Sequence, residues 1–345
     1  MQDVTHSQRW QRRLLLLALV IAACVVLLGA FTRLKDSGLG CPDWPGCYGH
    51  LNVLNAIRHV ESTNAADPGS LPAAIKTVPE MVHRYFASSL GLLILILAGF
   101  AWKDRKRDGQ PLLLPSLLVA LVIFQGLLGM WTVTLGLQPI IVTLHLLGGF
   151  STVTLLVLYA AQLFRLPRLA TPAALRGVKP LASLALLVLI GQIFLGGWTA
   201  SNYAAVACTE LPICQGDWTH KLDFPDAFTL WQTTERANFE YGVLDNDART
   251  TIHVMHRFGA ITVFVLVLAL CLDLLRRSRE KLARRFAAVI ALLLLLQIAL
   301  GVSNILFQVP LDVAVAHNFG ALLLLNSLVL LLYACCRSAQ PEARS

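Results

Sequence analysis

The chain has 345 residues, 56% of them hydrophobic and 14% charged, with a mean hydropathy of +0.66 and a formal net charge of +8. A soluble domain carries about a quarter charged residues, so composition excludes an ordinary soluble globular protein and points to an integral membrane protein with most of its length in the bilayer. In a soluble protein the positive charge would suggest nucleic acid; here it is gathered in short loops, where it is a topology signal.

Eight apolar spans follow in chain order, near Leu14–Phe31, Tyr85–Trp102, Leu112–Leu135, Ile140–Phe164, Leu181–Tyr203, Val254–Leu275, Phe286–Phe307 and Val313–Cys335. Each has roughly the 20 residues a helix needs to cross the hydrocarbon core, and none shows the alternation of a barrel strand. The start of the first, with Arg12, Arg13 and Ile21-Ala-Ala-Cys24, has the look of a lipoprotein signal peptide. Its apolar run continues past Cys24 to Phe31, and the second half has a counterpart at Leu181–Thr199, so it reads as a span.

Basic residues alternate in position between the spans. Arg9, Arg12 and Arg13 precede the first, Lys103, Arg105, Lys106 and Arg107 follow the second, and Arg165, Arg168, Arg176 and Lys179 follow the fourth. Arg276, Arg277, Arg279, Lys281, Arg284 and Arg285 follow the sixth, and Arg337 and Arg344 follow the eighth. That places 19 of the 28 Lys and Arg on one side. Both termini are expected to be cytoplasmic, with the long loops 32–82 and 204–250 outside.

The chain repeats itself. Gly29-Ala-Phe-Thr32 matches Gly196-Gly-Trp-Thr199 at an offset of 167, which also carries Cys41 to Cys208, Pro45 to Pro212, Cys47 to Cys214 and Gly49 to Gly216. Gln125, Gly129 and His145 match Gln297, Gly301 and His317 at 172, and His83-Arg84 matches His256-Arg257 at 173. The expected fold is an all-α integral membrane protein in which two parallel four-helix bundles, residues 1–168 and 169–345, are related by an axis along the membrane normal.

Ionisable groups inside a bilayer are costly and usually mark function. Each half offers two histidines on helices, with His83 and His256 expected to begin the second helix of each unit and His145 and His317 to stand about two turns into the fourth, roughly 9 Å along its axis. Two imidazoles per unit can hold one haem iron from both faces. Gly148 and Gly320, one turn further on, would let a flat macrocycle approach the backbone. Zinc or copper would want further ligands converging on the site. Arg84 and Arg257 are placed to pair with haem propionates, or to act as ordinary interfacial arginines.

The pairs Cys41/Cys47 and Cys208/Cys214 lie in outer loops, where disulfides persist. Each could close a small loop over its unit, as a staple or as a redox couple. Cys24, Cys271, Cys335 and Cys336 sit in apolar spans and read as small packing residues. Glu80 stands three residues before His83, on the same face if the helix begins there; the matching residue in the second half is His253. A carboxylate beside one presumed haem and not the other can serve as a base or steady a cation, or it can simply complement a helix N-terminus.

The segment Gly38-Leu-Gly-Cys41-Pro-Asp-Trp-Pro-Gly-Cys47-Tyr-Gly49 resembles the first-loop signature of the haem A synthase family, and Glu80-x-x-His83-Arg84 resembles its Glu and His motif. His145, His256 and His317 match its remaining histidines in order and spacing, and the likeness spans all eight helices, in the branch with a cysteine pair in each half. The resemblance implies an oxidoreductase that converts the C8 methyl of haem O to a formyl group, through an alcohol and a gem-diol, giving haem A for terminal oxidases. It implies substrate haem near Glu80, His83 and His145, and a haem b cofactor on His256 and His317. The implied partners are haem O and haem A, membrane lipid, a haem O synthase, oxidase assembly factors and an electron acceptor, with no nucleic acid; the implied location is the bacterial inner membrane. With five residues between the cysteines of each pair, and the repeat favouring pairing within a unit, disulfides Cys41–Cys47 and Cys208–Cys214 are expected. The main alternative is a di-haem b cytochrome carrying electrons across the membrane, which would stack its haems from side to side; a transporter would need broken helices with polar residues at midplane.

Overall fold

The computed structural model describes residues 6–64, 71–166 and 177–336. Arg168, Arg176, Arg337 and Arg344, used above for orientation, lie outside the described residues, as does the expected boundary between residues 168 and 169. Among the described residues the fold is helical without a named strand, and eight helices are long and apolar enough to span a membrane.

In chain order the helices are α1 (His6–Leu34), α2 (Val53–Asn64), α3 (Leu71–Lys103), α4 (Leu113–Thr134), α5 (Pro139–Leu163), α6 (Val178–Ser201), α7 (Phe224–Ala227), α8 (Asn246–Arg277), α9 (Lys281–Leu306) and α10 (Leu311–Cys336). All but the short α2 and α7 are spans. In the first half α1 packs on α3, α3 on α4, α4 on α5 and α5 back on α1; in the second, α6, α8, α9 and α10 close the same circuit. The two circuits meet through α1 and α5 on one side and α6 and α10 on the other. α10 is the most enclosed span, with 56% of its apolar window buried against 17% for α4 and for α9.

At the junction, residues related by the 167 offset touch each other. Arg33 donates to the Ala200 carbonyl at 2.7 Å, and the Tyr203 hydroxyl donates to Asp36 at 3.0 Å. Arg33 also lies over the Tyr203 ring, 4.1 Å from its centroid. Gly197 lets α6 approach α5 closely: a Cβ there would come within 3.2 Å of Thr143.

The helix ends repeat in backbone geometry even where the turn residues differ. Ser37 N–H donates to Thr32 O and Ala204 N–H to Thr199 O, both at 2.9 Å; Leu137 bonds Thr132 and Val309 bonds Asn304 in the same way. These six-to-one bonds satisfy orphan carbonyls as the chain turns off a helix. The turns pass through left-handed backbone at Asp36 and Tyr203, and again at Leu137 and Val309.

The second and sixth spans begin earlier than hydropathy suggests. α3 starts at Leu71 and α8 at Asn246, where the Asp245 side chain accepts the Ala248 N–H. Both helices carry a polar extension, so an apolar window finds where hydrocarbon begins rather than where the helix does. His83 and His256 therefore do not begin their helices. They stand twelve and ten residues in, about 18 and 15 Å along the axis, whereas His145 and His317 stand six residues in, about 9 Å.

Candidate functional site: paired histidines beneath two clamped loops

In each circuit the histidine-bearing helices sit at opposite corners, α3 across from α5 and α8 across from α10. The remaining corners present glycines to the rings. A methyl placed on Gly29 would come within 3.0 Å of His83 Cε1, and one on Gly129 within 3.5 Å of His145 Cε1. Gly196 faces His256 and Gly301 faces His317 at 3.2 Å each. Four rings thus rest against bare backbone on the neighbouring helix; a Cβ would crowd the ring at Gly29, Gly196 and Gly301 and would make ordinary contact at Gly129.

The His83 and His145 rings are 6.5 Å apart between centroids. Two imidazoles that share one metal atom at about 2 Å from each nitrogen need about that separation. His83 Nδ1, His145 Nδ1 and His317 Nδ1 are buried without a hydrogen-bond partner. Orphaned buried nitrogens are expensive in a protein interior, so their presence at a matched set of rings fits a missing group. Among the described residues no cluster of three or more His, Cys, Asp or Glu converges, so the donor set is two facing imidazoles per half. These residues fit a haem held between two histidines in each circuit.

Above the rings lie the cysteine loops. Disulfides join Cys41 to Cys47 and Cys208 to Cys214, each with Cα atoms 4.8 Å apart. An arginine clamps each loop from below. Arg84 donates to the carbonyls of Asp43, Pro45 and Gly46, and Arg257 to those of Cys208, Glu210 and Ile213. Sequence reasoning offered these arginines to propionates; here their terminal nitrogens hold the loops, while Arg257 Nε is buried without a protein partner.

Glu80 is 5% exposed and lies nine residues inside α3, so complementing a helix N-terminus is not its role. One of its oxygens accepts the Cys41 N–H at 2.9 Å and the other pairs with Arg84. His253, also 5% exposed, does the matching job: its Nδ1 accepts the Cys208 N–H at 3.3 Å. In the first loop Asp43 accepts the amides of Tyr48 and Gly49. Burial, with Glu80 and Asp43 nearby, pushes the Tyr48 phenol up.

Gly148 and Gly320 do not leave open backbone for a macrocycle. Gln125 lays its amide over the first and Gln297 over the second, and Gln192 does the same to Gly259. The recurrence of Gln125 and Gln297 was visible in the sequence. Gln192 was missed because its partner in the repeat is Val25, a mismatch that reads as noise until the packing is seen.

Residues 12–329 match the family described as cytochrome oxidase assembly protein. The chain is 46% identical to the "Heme A synthase" of Shewanella oneidensis over 93% of its own length and 95% of that protein. It is 29% identical to the protein of the same name from Mesorhizobium japonicum, over 90% of this chain and 86% of the relative. With the one from Halalkalibacterium halodurans it shares 27% identity over 88% and 90% of the two chains.

Proposed function

Because this chain belongs to the haem A synthase family of cytochrome oxidase assembly proteins, we propose that it is itself a haem A synthase: a membrane oxidoreductase that turns the C8 methyl of haem O into the formyl group of haem A. The observation that carries the reading is the likeness to the Shewanella oneidensis protein over nearly the whole of both chains. The paired, glycine-backed histidines in each circuit support it. So does their common position toward the loop end, since a cytochrome carrying electrons across the bilayer would spread its sites from side to side.

The first unit, residues 1–168, takes the substrate, and the second, residues 169–345, the cofactor. His83 and His145 hold haem O; His256 and His317 hold haem b, which when bound supplies one-electron redox chemistry. Gly29 and Gly129 fix how far the first-unit rings can retreat. The loop clamped by Arg84 covers the substrate unit and excludes water from it. Glu80 is the catalytic residue, taking up the proton released at the reacting carbon or steadying positive charge there. Arg84 and the Cys41 amide fix its carboxylate. Arg257, through its unpartnered Nε, and Arg84 are the candidates for binding propionates.

The methyl passes through an alcohol and a gem-diol that loses water to the aldehyde. Each hydroxylation, written with water as the source of oxygen, releases two protons and an electron pair, which an acceptor outside the chain must take. The enzyme works between a haem O synthase that supplies substrate and the oxidase assembly factors that use the product. The basic helix ends support a bacterial inner-membrane enzyme with both termini in the cytoplasm and the cysteine loops outside.

The test is expression in cells that make haem O but no haem A, with extracted haems resolved by chromatography. Haem A, with some alcohol intermediate, is expected. Unconverted haem O alone, from protein that carries both disulfides, would overturn the reading.

A further inference from the structure

One groove of the repeat is open in the first half and filled in the second. In the first half a cavity of about 370 Å³ is lined by Phe31, Lys35 and Ser37 at the end of α1 and by Ile75, Lys76 and Pro79 near the start of α3. The offsets of 167 and 173 carry these residues to Trp198, Asn202, Ala204, Ala248, Arg249 and Ile252. There Trp198, Ala204, Ala248 and Ile252 are fully buried in one cluster with Ala227 of α7, whose carbonyl accepts the Trp198 indole N–H at 2.8 Å. Asn202 is buried as well and accepts a hydrogen bond from Gln232, while Arg249 donates to the carbonyls of Leu244 and Tyr241. The second outer loop thus fills its own groove, whereas Ile75 in the first is 74% exposed.

The open groove combines an apolar wall with two cations. Lys76 pairs with Glu240 at 2.8 Å, and the neighbouring Arg33 pairs with Asp36 at 3.6 Å. Among the described residues no carboxylate pairs with Lys35, so the groove carries one uncompensated positive charge. Lys35 follows the last residue of α1, and Lys76 lies in the polar extension of α3. Both ammonium groups therefore stand at the ends of spans, where long basic side chains lay their stems along apolar surface and keep their charge at the interface. The groove does not face the paired rings. Gly29 meets His83, and Phe31 stands two residues further on, about 200° round the helix. Its wall turns toward lipid.

We propose that this groove binds the head group of an anionic phospholipid in the leaflet on the cysteine-loop side, with the phosphate between Lys35 and Lys76 and an acyl chain along Phe31, Ile75 and Pro79. A phosphodiester carries a single negative charge, which balances the one uncompensated charge of the groove. A zwitterionic lipid brings its own ammonium and leaves that charge uncompensated. Inorganic phosphate has nothing to lay on the apolar wall, and haem would bring two carboxylates to one free cation. Basic pockets between spanning helices hold anionic head groups by this same combination. Because Lys76 also holds Glu240, the lipid would join α1 and α3 beside a contact that ties the first half to the second. The inference goes beyond the functional reading and does not depend on which haem either unit holds.

The test titrates the purified, haem-loaded full chain, stripped of copurified lipid in a neutral detergent, with phosphatidylglycerol or phosphatidylcholine, and counts bound lipid by native mass spectrometry. One phosphatidylglycerol should bind ahead of any phosphatidylcholine. Lys35→Ala should weaken that binding by about fivefold, and Lys35→Arg should keep it. Lys221→Ala, which removes an exposed lysine from the second outer loop, should leave it unchanged. Equal binding of the two lipids overturns the proposal. So does a Lys35→Ala variant that binds like the unaltered protein, or a Lys221→Ala variant that loses as much. Lys35 is exposed, so its variants should fold, and the masses of the intact disulfides check this in the same spectra. Excess ferric protoporphyrin IX should leave the lipid in place; displacement of the lipid would assign the groove to haem carboxylates and overturn the proposal. None of these readouts uses haem A formation, so failure here leaves the functional reading standing, and loss of haem A formation leaves this inference standing.

Discussion

In the first half the amide of the leading loop cysteine is held by a carboxylate, Glu80; in the second it is held by an imidazole, His253. Arginines one turn further along, Arg84 and Arg257, then clamp three loop carbonyls each. The mechanical task is the same and is met by either residue type. A buried carboxylate is the more demanding choice, because it must be desolvated and paired, and here the pairing comes from Arg84. Structural need alone therefore does not explain why one half uses Glu. What the carboxylate adds is an ionisable acid one turn before His83 on α3, which supports the proposal that the chemistry belongs to that half.

The comparison breaks most sharply if the second half does not hold its own haem. His256→Ala combined with His317→Ala removes both rings of that circuit. Low-spin bis-imidazole absorbance from the second unit should disappear, while the first unit still binds haem through His83 and His145. An unchanged bis-imidazole spectrum in the double variant would sink the assignment of ligands.

A sharper contrast, with a smaller structural effect, sets Glu80→Gln against His253→Gln. Glutamine can still accept a cysteine amide through its side-chain oxygen, so both variants should keep their loops, fold and bind haem. Glu80→Gln loses the charge and the base, and haem extracts should contain haem O or the alcohol with little haem A. A general base contributes about 10²- to 10⁴-fold to a rate. His253→Gln should make haem A at close to the normal rate. Equal losses in the two variants would show that both residues serve only the loops.

Much of this was readable in the sequence, and the exceptions have physical causes. Hydropathy places the spans because their residues must satisfy hydrocarbon. It misplaces the starts of α3 and α8, since a helix that leaves the bilayer goes on satisfying its own backbone in polar residues such as Lys76, Thr77 and Glu80. The repeat in His, Cys and Gly revealed which residues correspond, because those types are constrained one by one. It did not reveal what Arg84 and Arg257 grip: carbonyls 38 to 49 residues away in the chain carry no side-chain signature. The glutamines that cover the glycines were half visible. Gln125 and Gln297 recur in register, but Gly148 and Gly320 suggested room for a macrocycle, since a glycine announces a close approach without saying what approaches.

The smallest expected effect separates the two disulfides. In the chain-entropy account, closing a loop this short stabilises by about 2 kcal/mol, and by that measure the two are equivalent. The surroundings are not. In the second loop Gln215 accepts the Thr209 N–H at 2.9 Å and donates to the Ala207 carbonyl at 2.8 Å, tying together residues on both sides of the Cys208–Cys214 bridge. The matching residue in the first loop is Tyr48, which makes no such tie. There Asp43 gathers the amides of Tyr48 and Gly49 but does not reach back to Cys41, whose amide leans on Glu80. Cys208→Ser with Cys214→Ser should therefore lower the thermal midpoint only slightly and leave both haem retention and haem A formation near normal. Cys41→Ser with Cys47→Ser should lower the midpoint further and reduce haem A formation as well, because the carboxylate loses the rigid loop that fixes it. Thermal unfolding of the two holoproteins, followed beside their haem extracts, decides the matter. If the second-loop variant is the more damaged of the two, Gln215 does not stand in for the bridge, and the loops differ for a reason other than the one argued from their hydrogen bonds.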